Sequence, residues 1–210
     1  MPGGLPAQAL VLPYLPTPPR IDGDLSEWRH QAYHDGPWDL FRVQHTPWYD
    51  PVWNRLTDHA GEDSLMGDLM SRYYLAWDDR HLYLGAEVWD NVIDTDDCLH
   101  APKRWYYKDA VTCFVEIPRD TVAEIFGEGD HAFAFVADST YPAYGAWWRH
   151  GTADTSYLEA PLPTKSVRYR LCFPGPPGPA YVLEAAIDLT RLTGYHPKKG
   201  DRWGLMLVHT

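Results

Sequence analysis

Short segments of alternating hydrophobicity, separated by turns rich in Pro and Gly, set the strongest limit on how this chain can fold. Between Ser166 and Phe173 apolar and polar residues alternate, and alternation returns from Tyr181 to Leu189. A period of two is typical of a strand with one buried face. The intervening segment 174–180, PGPPGPA, has the composition of a turn. The two segments therefore predict a β-hairpin.

Further strand-like segments recur along the chain without a fixed repeat, at 71–79, 81–90, 109–117, 131–138 and 202–210. Asp78 and Asp79 predict a tight turn between the first two. Nineteen Pro and sixteen Gly favour turns over long helices. Many short strands predict an all-β fold, an antiparallel two-sheet β-sandwich, and the length fits a single domain over residues 1–210.

Three segments depart from this pattern. Residues 44–70 predict a long insertion, which in a compact domain is usually functional or disordered, and its Trp residues argue against disorder. Within and after it, residues 62–72 show helical spacing of apolar side chains, weakened by a Gly. Residues 24–32 predict one or two helical turns capped by Asp24 or Ser26, and residues 9–14 predict an edge strand because Pro13 cannot donate to a central ladder.

The charge balance and the missing motifs narrow the function. A formal net charge of −11 gives no electrostatic footprint for nucleic acid. No apolar run is long enough for a transmembrane helix, and the start of the chain lacks the basic region of a signal peptide. Three Cys without close spacing predict neither a disulfide framework nor a zinc site. No phosphate-binding loop or nucleophile motif appears, so we expect a protein that is not an enzyme.

Aromatic side chains concentrate in the segment WYYKDAVTCFVE, residues 105–116. Exposed rings beside charged groups mark binding surfaces and suit a flat ligand. We therefore expect Trp105, Tyr106 and Asp109 to contact a ligand. The competing interpretation is that these rings fill the core, and for three consecutive rings at least one is expected to do so.

A second aromatic cluster occupies residues 141–151 and is expected to be a loop between strands. Loops carry function more often than core positions do, so Trp147, Trp148 and Arg149 are candidates for a binding platform. The alternative is that these rings cover an open end of the sandwich.

An acidic segment at residues 89–100 contains several Asp residues. Carboxylate oxygens suit calcium, which takes six to eight oxygen ligands. Asp90, Asp94 and Asp96 are therefore candidate calcium ligands, although the spacing is not that of an EF-hand loop. A solvated acidic loop is the alternative.

Five segments occur in the order of a known family: RIDGDLSEW (20–28), YLAWDDRHLYLGAEVWD (74–90), WYYKDAVTCFVE (105–116), GDHAFAFVAD (129–138) and YVLEAAIDL (181–189). The chain resembles the family 9 carbohydrate-binding modules and their wider superfamily of DOMON-like domains. The resemblance implies a two-sheet antiparallel sandwich, a sugar clamped between two Trp rings, and structural calcium. It also implies an extracellular or periplasmic location, as the binding part of a longer polysaccharide-degrading protein.

The family's binding residues transfer incompletely. The first clamp Trp matches Trp105 or Tyr106, and Asp109 and Glu184 match acidic positions that orient backbone or metal. The family's sugar-contacting Glu is Thr112 here, and its Arg falls near Ala134. The second clamp Trp has no counterpart before residue 210. The resemblance therefore implies non-catalytic binding of oligo- or polysaccharide at a site rebuilt from other residues, the 44–70 insertion among them.

Two alternatives stay open at the level of sequence. One is a haem-binding DOMON-type electron-transfer domain, with ligands drawn from Met66, Met70, Met206 and His59. The other is an accessory or structural domain that has lost the sugar site, an interpretation favoured by the uncharged residues at the two family contact positions.

Overall fold

The structure, a computed structural model, describes residues 10–35, 48–50, 55–57, 69–90, 93, 108–119, 129–138, 144–150 and 155–209. These residues contain twelve strands: Tyr33–Asp35 (β1), Trp48–Asp50 (β2), Arg55–Thr57 (β3), Leu69–Trp77 (β4), His81–Asp90 (β5), Ala110–Glu116 (β6), Asp130–Val136 (β7), Tyr144–His150 (β8), Thr155–Pro161 (β9), Val167–Cys172 (β10), Tyr181–Asp188 (β11) and Gly204–His209 (β12). Only the backbone is described for β2, β3, β8, most of β9 and the start of β4.

The strands form two five-stranded sheets and one small hairpin. The first sheet has the order β1-β4-β5-β11-β10, and the second has the order β12-β6-β7-β8-β9. Neighbouring strands in both sheets pair antiparallel. This confirms the predicted all-β sandwich, and β2 pairs with β3 inside the predicted 44–70 insertion.

Helical structure in the described residues is short. Two 3-10 turns, Leu25–Glu27 and Arg29–Gln31, occupy the segment predicted to be helical, and the Asp24 side chain caps the first. One α-helix, Leu189–Thr193 (α1), follows β11. None of the described helices is long and apolar enough to cross a membrane.

The core lies between the two sheets, because alternate residues of each central strand point inward. A contiguous apolar cluster joins the two inner faces; it includes Leu82, Leu84, Leu183 and Ile187 from the first sheet and Val111, Cys113, Val115, Phe133 and Phe135 from the second. The predicted β10–β11 hairpin is confirmed, and Val167, Leu183, Ala185 and Ile187 belong to the core cluster. The turn between β4 and β5 is also confirmed: the Asp78 carboxylate accepts from the backbone N–H groups of Arg80 and His81 and from the Tyr83 hydroxyl.

The N-terminal segment covers the outer face of the first sheet. Leu15, Leu25 and Trp28 pack there in a second apolar cluster with Tyr74, Ala76, Tyr83, Val182 and Ala186. Both faces of β11 are therefore buried along its whole length. A glycine in β5 permits the close approach, since a Cβ on Gly85 would lie 2.9 Å from a Leu25 methyl carbon and 3.3 Å from the Trp28 ring.

Three sequence-based predictions are wrong. Residues 144–150 form strand β8 and not a loop, because they pair with β7 on one side and β9 on the other. Residues 69–72 belong to β4 and not to a helix, since pairing with β5 outweighs their helical spacing; residues 62–68 lie outside the described residues. In the predicted edge strand, the described residues form an isolated bridge between Tyr14 and Trp77 and no strand.

The sandwich has two ends, which we call the Asp109 end and the Trp77 end. At the Asp109 end, β5 ends, β6 begins and β12 ends at His209. At the Trp77 end, β4 turns into β5 and Trp203 leads into β12. Contacts between the sheets fix this correspondence, because Tyr181 meets His209 at the first end and Trp77 meets Trp203 at the second.

Candidate functional site

Tyr181 connects the two sheets at the Asp109 end. It begins β11 and is fully buried, and its hydroxyl lies 2.6 Å from Nε2 of His209 at the end of β12. The two rings stack at a centroid distance of 6.0 Å and an interplanar angle of 28°. A buried polar pair of this kind holds its rings in one orientation, because breaking it leaves two desolvated groups without partners.

Two carboxylates lie close to this pair. Burial raises the pKa of Tyr181 well above its ordinary value, and the nearby Tyr73, Asp109 and Asp90 raise it further. Burial also lowers the pKa of His209 to about 4, so its imidazole is neutral at pH 7. The Asp109 end therefore combines a rigid, neutral Tyr–His pair with two negative charges.

Asp90 and Asp109 flank the segment that carries the predicted clamp. Asp90 is the last residue of β5, and Asp109 precedes β6 and accepts a hydrogen bond of 2.7 Å on its backbone carbonyl from Ala137. Because both carboxylates raise the pKa of the same phenol, the residues that flank the segment 91–107 lie at the same end of the sandwich. Trp105, Tyr106, Asp94 and Asp96 belong to that segment and lie outside the described residues. Their sugar-binding and calcium-binding roles stay predictions.

The second predicted cluster lies elsewhere. In the register of β8, Trp147 pairs with His131 of β7, which is near the Trp77 end, and Trp148 pairs with Tyr157 of β9. Successive positions of a strand belong to opposite faces. The structure therefore does not bring Trp147, Trp148 and Arg149 together with Asp109, and the platform stays a prediction.

The two family contact positions are neighbours in the second sheet. Thr112 of β6 pairs with Ala134 of β7 and with Val208 of β12, and both Thr112 and Ala134 are buried. The Thr112 hydroxyl has no hydrogen-bond partner among the described residues. Where the resemblance places a carboxylate and a guanidinium, this chain has a small and uncharged patch.

Glu184 has a role in holding backbone, one of the two that the sequence suggested for it. Its carboxylate is fully buried in β11 and accepts from the backbone N–H groups of Asp22 and Gly23 at 2.8 and 2.7 Å. It also accepts from the indole N–H of Trp28 at 2.8 Å. Burial raises the pKa of Glu184, and the three donors oppose that rise. The motif RIDGDLSEW therefore has a structural role, because its hydrogen bonds to the Glu184 carboxylate hold it on the first sheet.

Metal and haem ligands were also predicted. Among the described residues no group of three or more His, Cys, Asp or Glu side chains is placed to hold a metal ion. Of the four candidate haem ligands, Met206 lies on β12 with 54% of its side chain exposed. Met70 lies in the part of β4 whose side chains are not described, and His59 and Met66 lie outside the described residues.

Sequence reasoning missed Tyr181 and His209 as members of the Asp109 end. They are separated by 28 residues in the chain. They meet because β11 belongs to the first sheet, β12 belongs to the second, and the two sheets pack on each other. No local pattern carries that information, because strand partners and register are set by the whole sandwich.

Comparison with known proteins agrees with the fold. A family model described as "Carbohydrate family 9 binding domain-like" matches residues 45–210. Among curated proteins no significant match is found. One similar solved structure is a family 9 carbohydrate-binding module from Caldicellulosiruptor kristjanssonii in complex with cellotriose, at 18% identity and a TM-score of 0.52, covering 90% of this chain and 70% of that one.

A second similar structure is a family 9 module from the same organism in complex with glucose, at 18% identity and a TM-score of 0.55. That match covers 92% of this chain and 73% of the other. The family match extends over β2 to β12, and the sandwich is the one that the motif order implies. The chain belongs to the family described as carbohydrate family 9 binding domain-like.

Proposed function

We propose that this chain is a non-catalytic module that binds neutral oligo- or polysaccharides at the Asp109 end. The family match over residues 45–210 carries the proposal. The two structurally similar modules, held in complex with cellotriose and with glucose, support a saccharide as the ligand class. In this proposal the module serves as the binding part of a longer carbohydrate-active protein.

The chemistry of the Asp109 end fits a sugar. In this proposal Asp109 accepts hydrogen bonds from sugar hydroxyl groups, and the Tyr181–His209 pair keeps the end of β5 and the start of β6 in place. Trp105 and Tyr106 supply ring faces for the apolar side of a pyranose. Two carboxylates in a chain of net charge −11 disfavour acidic saccharides, so the preferred ligand is uncharged.

The site differs from the pattern that the resemblance implies. Thr112 and Ala134 supply no charged group, so the polar contacts fall to Asp109 and to the segments around it. Trp147, Trp148 and Arg149 on β8 are candidates for a further contact. Fewer charge-assisted hydrogen bonds lead us to expect weak binding.

Calcium is part of the same proposal. Asp90, Asp94 and Asp96 would coordinate the ion. The bound ion would then fix the position of the segment 91–107, which contains Trp105. Oxygen ligands of this kind are those that calcium takes. The ion would then affect saccharide binding through the position of the ring rather than through contact with the sugar.

Affinity electrophoresis in gels containing xylan, a soluble cellulose derivative, other neutral polysaccharides and one acidic polysaccharide tests the proposal. We expect retardation by at least one neutral polysaccharide and none by the acidic one. The double variant Trp105→Ala/Tyr106→Ala should lose about tenfold in affinity, on the order of 1.4 kcal/mol. The control is Met206→Ala, which removes an exposed apolar side chain from β12 and should migrate as wild type. Unchanged migration of the wild-type protein in every gel would refute the proposed function.

A further inference from the structure

Four aromatic rings form a continuous row at the Trp77 end. Tyr14 meets Trp77 at a centroid distance of 4.9 Å, Trp77 meets Trp203 at 6.4 Å, and Trp203 meets Tyr195 at 6.3 Å. The interplanar angles are 72°, 80° and 77°, so neighbouring rings are nearly perpendicular. We name these four residues the ring row. They come from the N-terminal segment, the end of β4, the residue before β12 and the segment after α1.

A carboxylate lies at each end of the ring row. Asp79 lies near the Tyr14 phenol, and desolvation together with the Asp79 carboxylate raises the pKa of that phenol. At the other end the Tyr195 hydroxyl donates to Asp201. Both Asp79 and Asp201 are exposed. An apolar strip is therefore bounded on two sides by acceptors that solvent reaches.

The indole N–H groups of the ring row already donate hydrogen bonds within the protein. Trp77 donates to the carbonyl of Leu12 at 2.9 Å, and Trp203 donates to the Tyr195 hydroxyl at 3.2 Å. What the row offers a ligand is thus ring surface in the middle and carboxylate oxygen at the ends. That combination suits a molecule with apolar C–H faces and many hydroxyl donors, and it repels phosphates and other anions.

Part of the row is accessible. Tyr14 is 45% exposed and Trp77, Trp203 and Tyr195 are partly exposed. Tyr195 and Trp203 also pack against the core, so the accessible part of the row is Tyr14 with the outer edges of the other rings. An exposed ring continuous with partly exposed rings and flanked by acceptors is a candidate contact surface. Trp77, Tyr195 and Trp203 lie within residues 45–210 and Tyr14 lies outside them, so the complete row extends beyond the family match.

We propose that the ring row is a second saccharide-contact surface, which takes a neutral oligosaccharide chain at the end of the sandwich opposite Asp109. The proposal rests on the proposed function, since it gives that function a second surface. A polysaccharide long enough to reach both ends would gain avidity that a short oligosaccharide cannot.

The test compares Tyr14→Ala with wild type for a polysaccharide that the wild-type chain binds, using isothermal titration. We expect Tyr14→Ala to weaken binding about fivefold, and Tyr14→Phe, which keeps the ring and loses the hydroxyl, to weaken it less. Val11→Ala is the matched control, because Val11 is 86% exposed and close to Tyr14 in sequence but has no ring. The double variant Trp105→Ala/Tyr106→Ala should keep a residual affinity that Tyr14→Ala then removes.

Circular dichroism accompanies each variant. If Tyr14→Ala does not fold, the same titration with Asp79→Asn replaces it as the test of the ring row. We expect Asp79→Asn to weaken polysaccharide binding about twofold. Wild-type affinity in a folded Tyr14→Ala protein overturns the ring row as a binding surface and leaves the proposed function intact, whereas a wild-type chain that binds no saccharide refutes the proposed function itself. Loss of a concentration-dependent dimer in Tyr14→Ala, with saccharide affinity unchanged, also overturns the proposal, because the row would then be a self-contact.

Discussion

Glu184 shows how one residue can fix the position of a whole segment. A buried carboxylate is costly unless it is hydrogen-bonded, and this one receives three N–H donors from a segment more than 150 residues away in the chain. Glu184→Gln keeps the shape but turns an NH₂ group toward donors. We expect a loss of about 2–4 kcal/mol in the free energy of unfolding, measured by urea denaturation.

The matched control for this prediction is Glu87→Gln. Glu87 lies on the same outer face, where it accepts from Tyr74 and Arg29 in a more exposed setting. Its substitution should cost about 1 kcal/mol or less. Equal losses in the two variants would contradict the role assigned to Glu184.

Two desolvated histidines, the buried His131 and the partly buried His209, predict a loss of stability in acid. Burial lowers the pKa of His131 and of His209 to about 4, from an ordinary value of about 6.5. Between these pH values the unfolded chain binds more protons than the folded chain, so the free energy of unfolding falls as pH decreases through this window. Each histidine contributes roughly 3 kcal/mol to that fall.

Urea denaturation at pH 7.0 and pH 4.5 measures the effect. His131→Phe removes one titrating group and keeps an aromatic ring in the position that stacks on Phe133, so the pH dependence of its stability should be smaller than that of wild type. His30→Phe is the control, since His30 is exposed. A pH dependence that His131→Phe leaves unchanged would show that His131 does not titrate as stated.

Gly85 limits how the N-terminal segment packs on the first sheet. A Cβ there would lie 2.9 Å from a methyl carbon of Leu25, the end of a flexible side chain that can shift a little. Gly85→Ala should therefore cost about 1–3 kcal/mol of unfolding free energy, the usual penalty for overpacking. A double-mutant cycle with Leu25→Ala tests this. The double variant should lose less unfolding free energy than the two single variants lose in sum, because Leu25→Ala makes room for the added methyl group. Strict additivity would contradict the packing explanation.

At the scale of elements, the sequence predicts the strands whose apolar content is high. Segments such as 81–90 and 181–188 have strand composition and became central strands. The segment 144–150 has no alternation of apolar and polar residues, and its aromatic residues suggested a loop platform; its pairing with two neighbours makes it strand β8. The three-residue strand β1 was missed because its pairing depends on β4, which is distant in the sequence. The strand β9 was missed together with β8, the neighbouring strand with which it pairs.

The candidate site was predictable to a smaller extent. Asp90 and Asp109 were singled out from composition and motif order, and the structure brings both near one phenol. The Tyr181–His209 pair depends on how two sheets stack, and the ring row depends on contacts among residues 14, 77, 195 and 203. Contacts between residues so far apart in the chain produce no periodic pattern in the sequence.

At the scale of the whole molecule, calcium should stabilise the Asp109 end. A ligand that binds only the folded state raises the free energy of unfolding in proportion to the logarithm of its concentration. We expect millimolar Ca²⁺ to raise the thermal midpoint by several degrees relative to EDTA, roughly 2–4 °C per kcal/mol for a chain of this size. Asp90→Asn should lose the effect, whereas Asp79→Asn at the opposite end should keep it. Identical midpoints with Ca²⁺ and with EDTA would rule calcium out.

The proposed function requires that this sandwich binds a neutral saccharide. Isothermal titration of the wild-type chain with cellotriose, glucose and xylo-oligosaccharides tests that requirement most directly. The proposed function predicts saturable heat for at least one of them, with a dissociation constant on the order of micromolar to millimolar. It also predicts that Trp105→Ala/Tyr106→Ala lowers this affinity about tenfold while the protein stays folded. No heat of binding from any neutral oligosaccharide would contradict it.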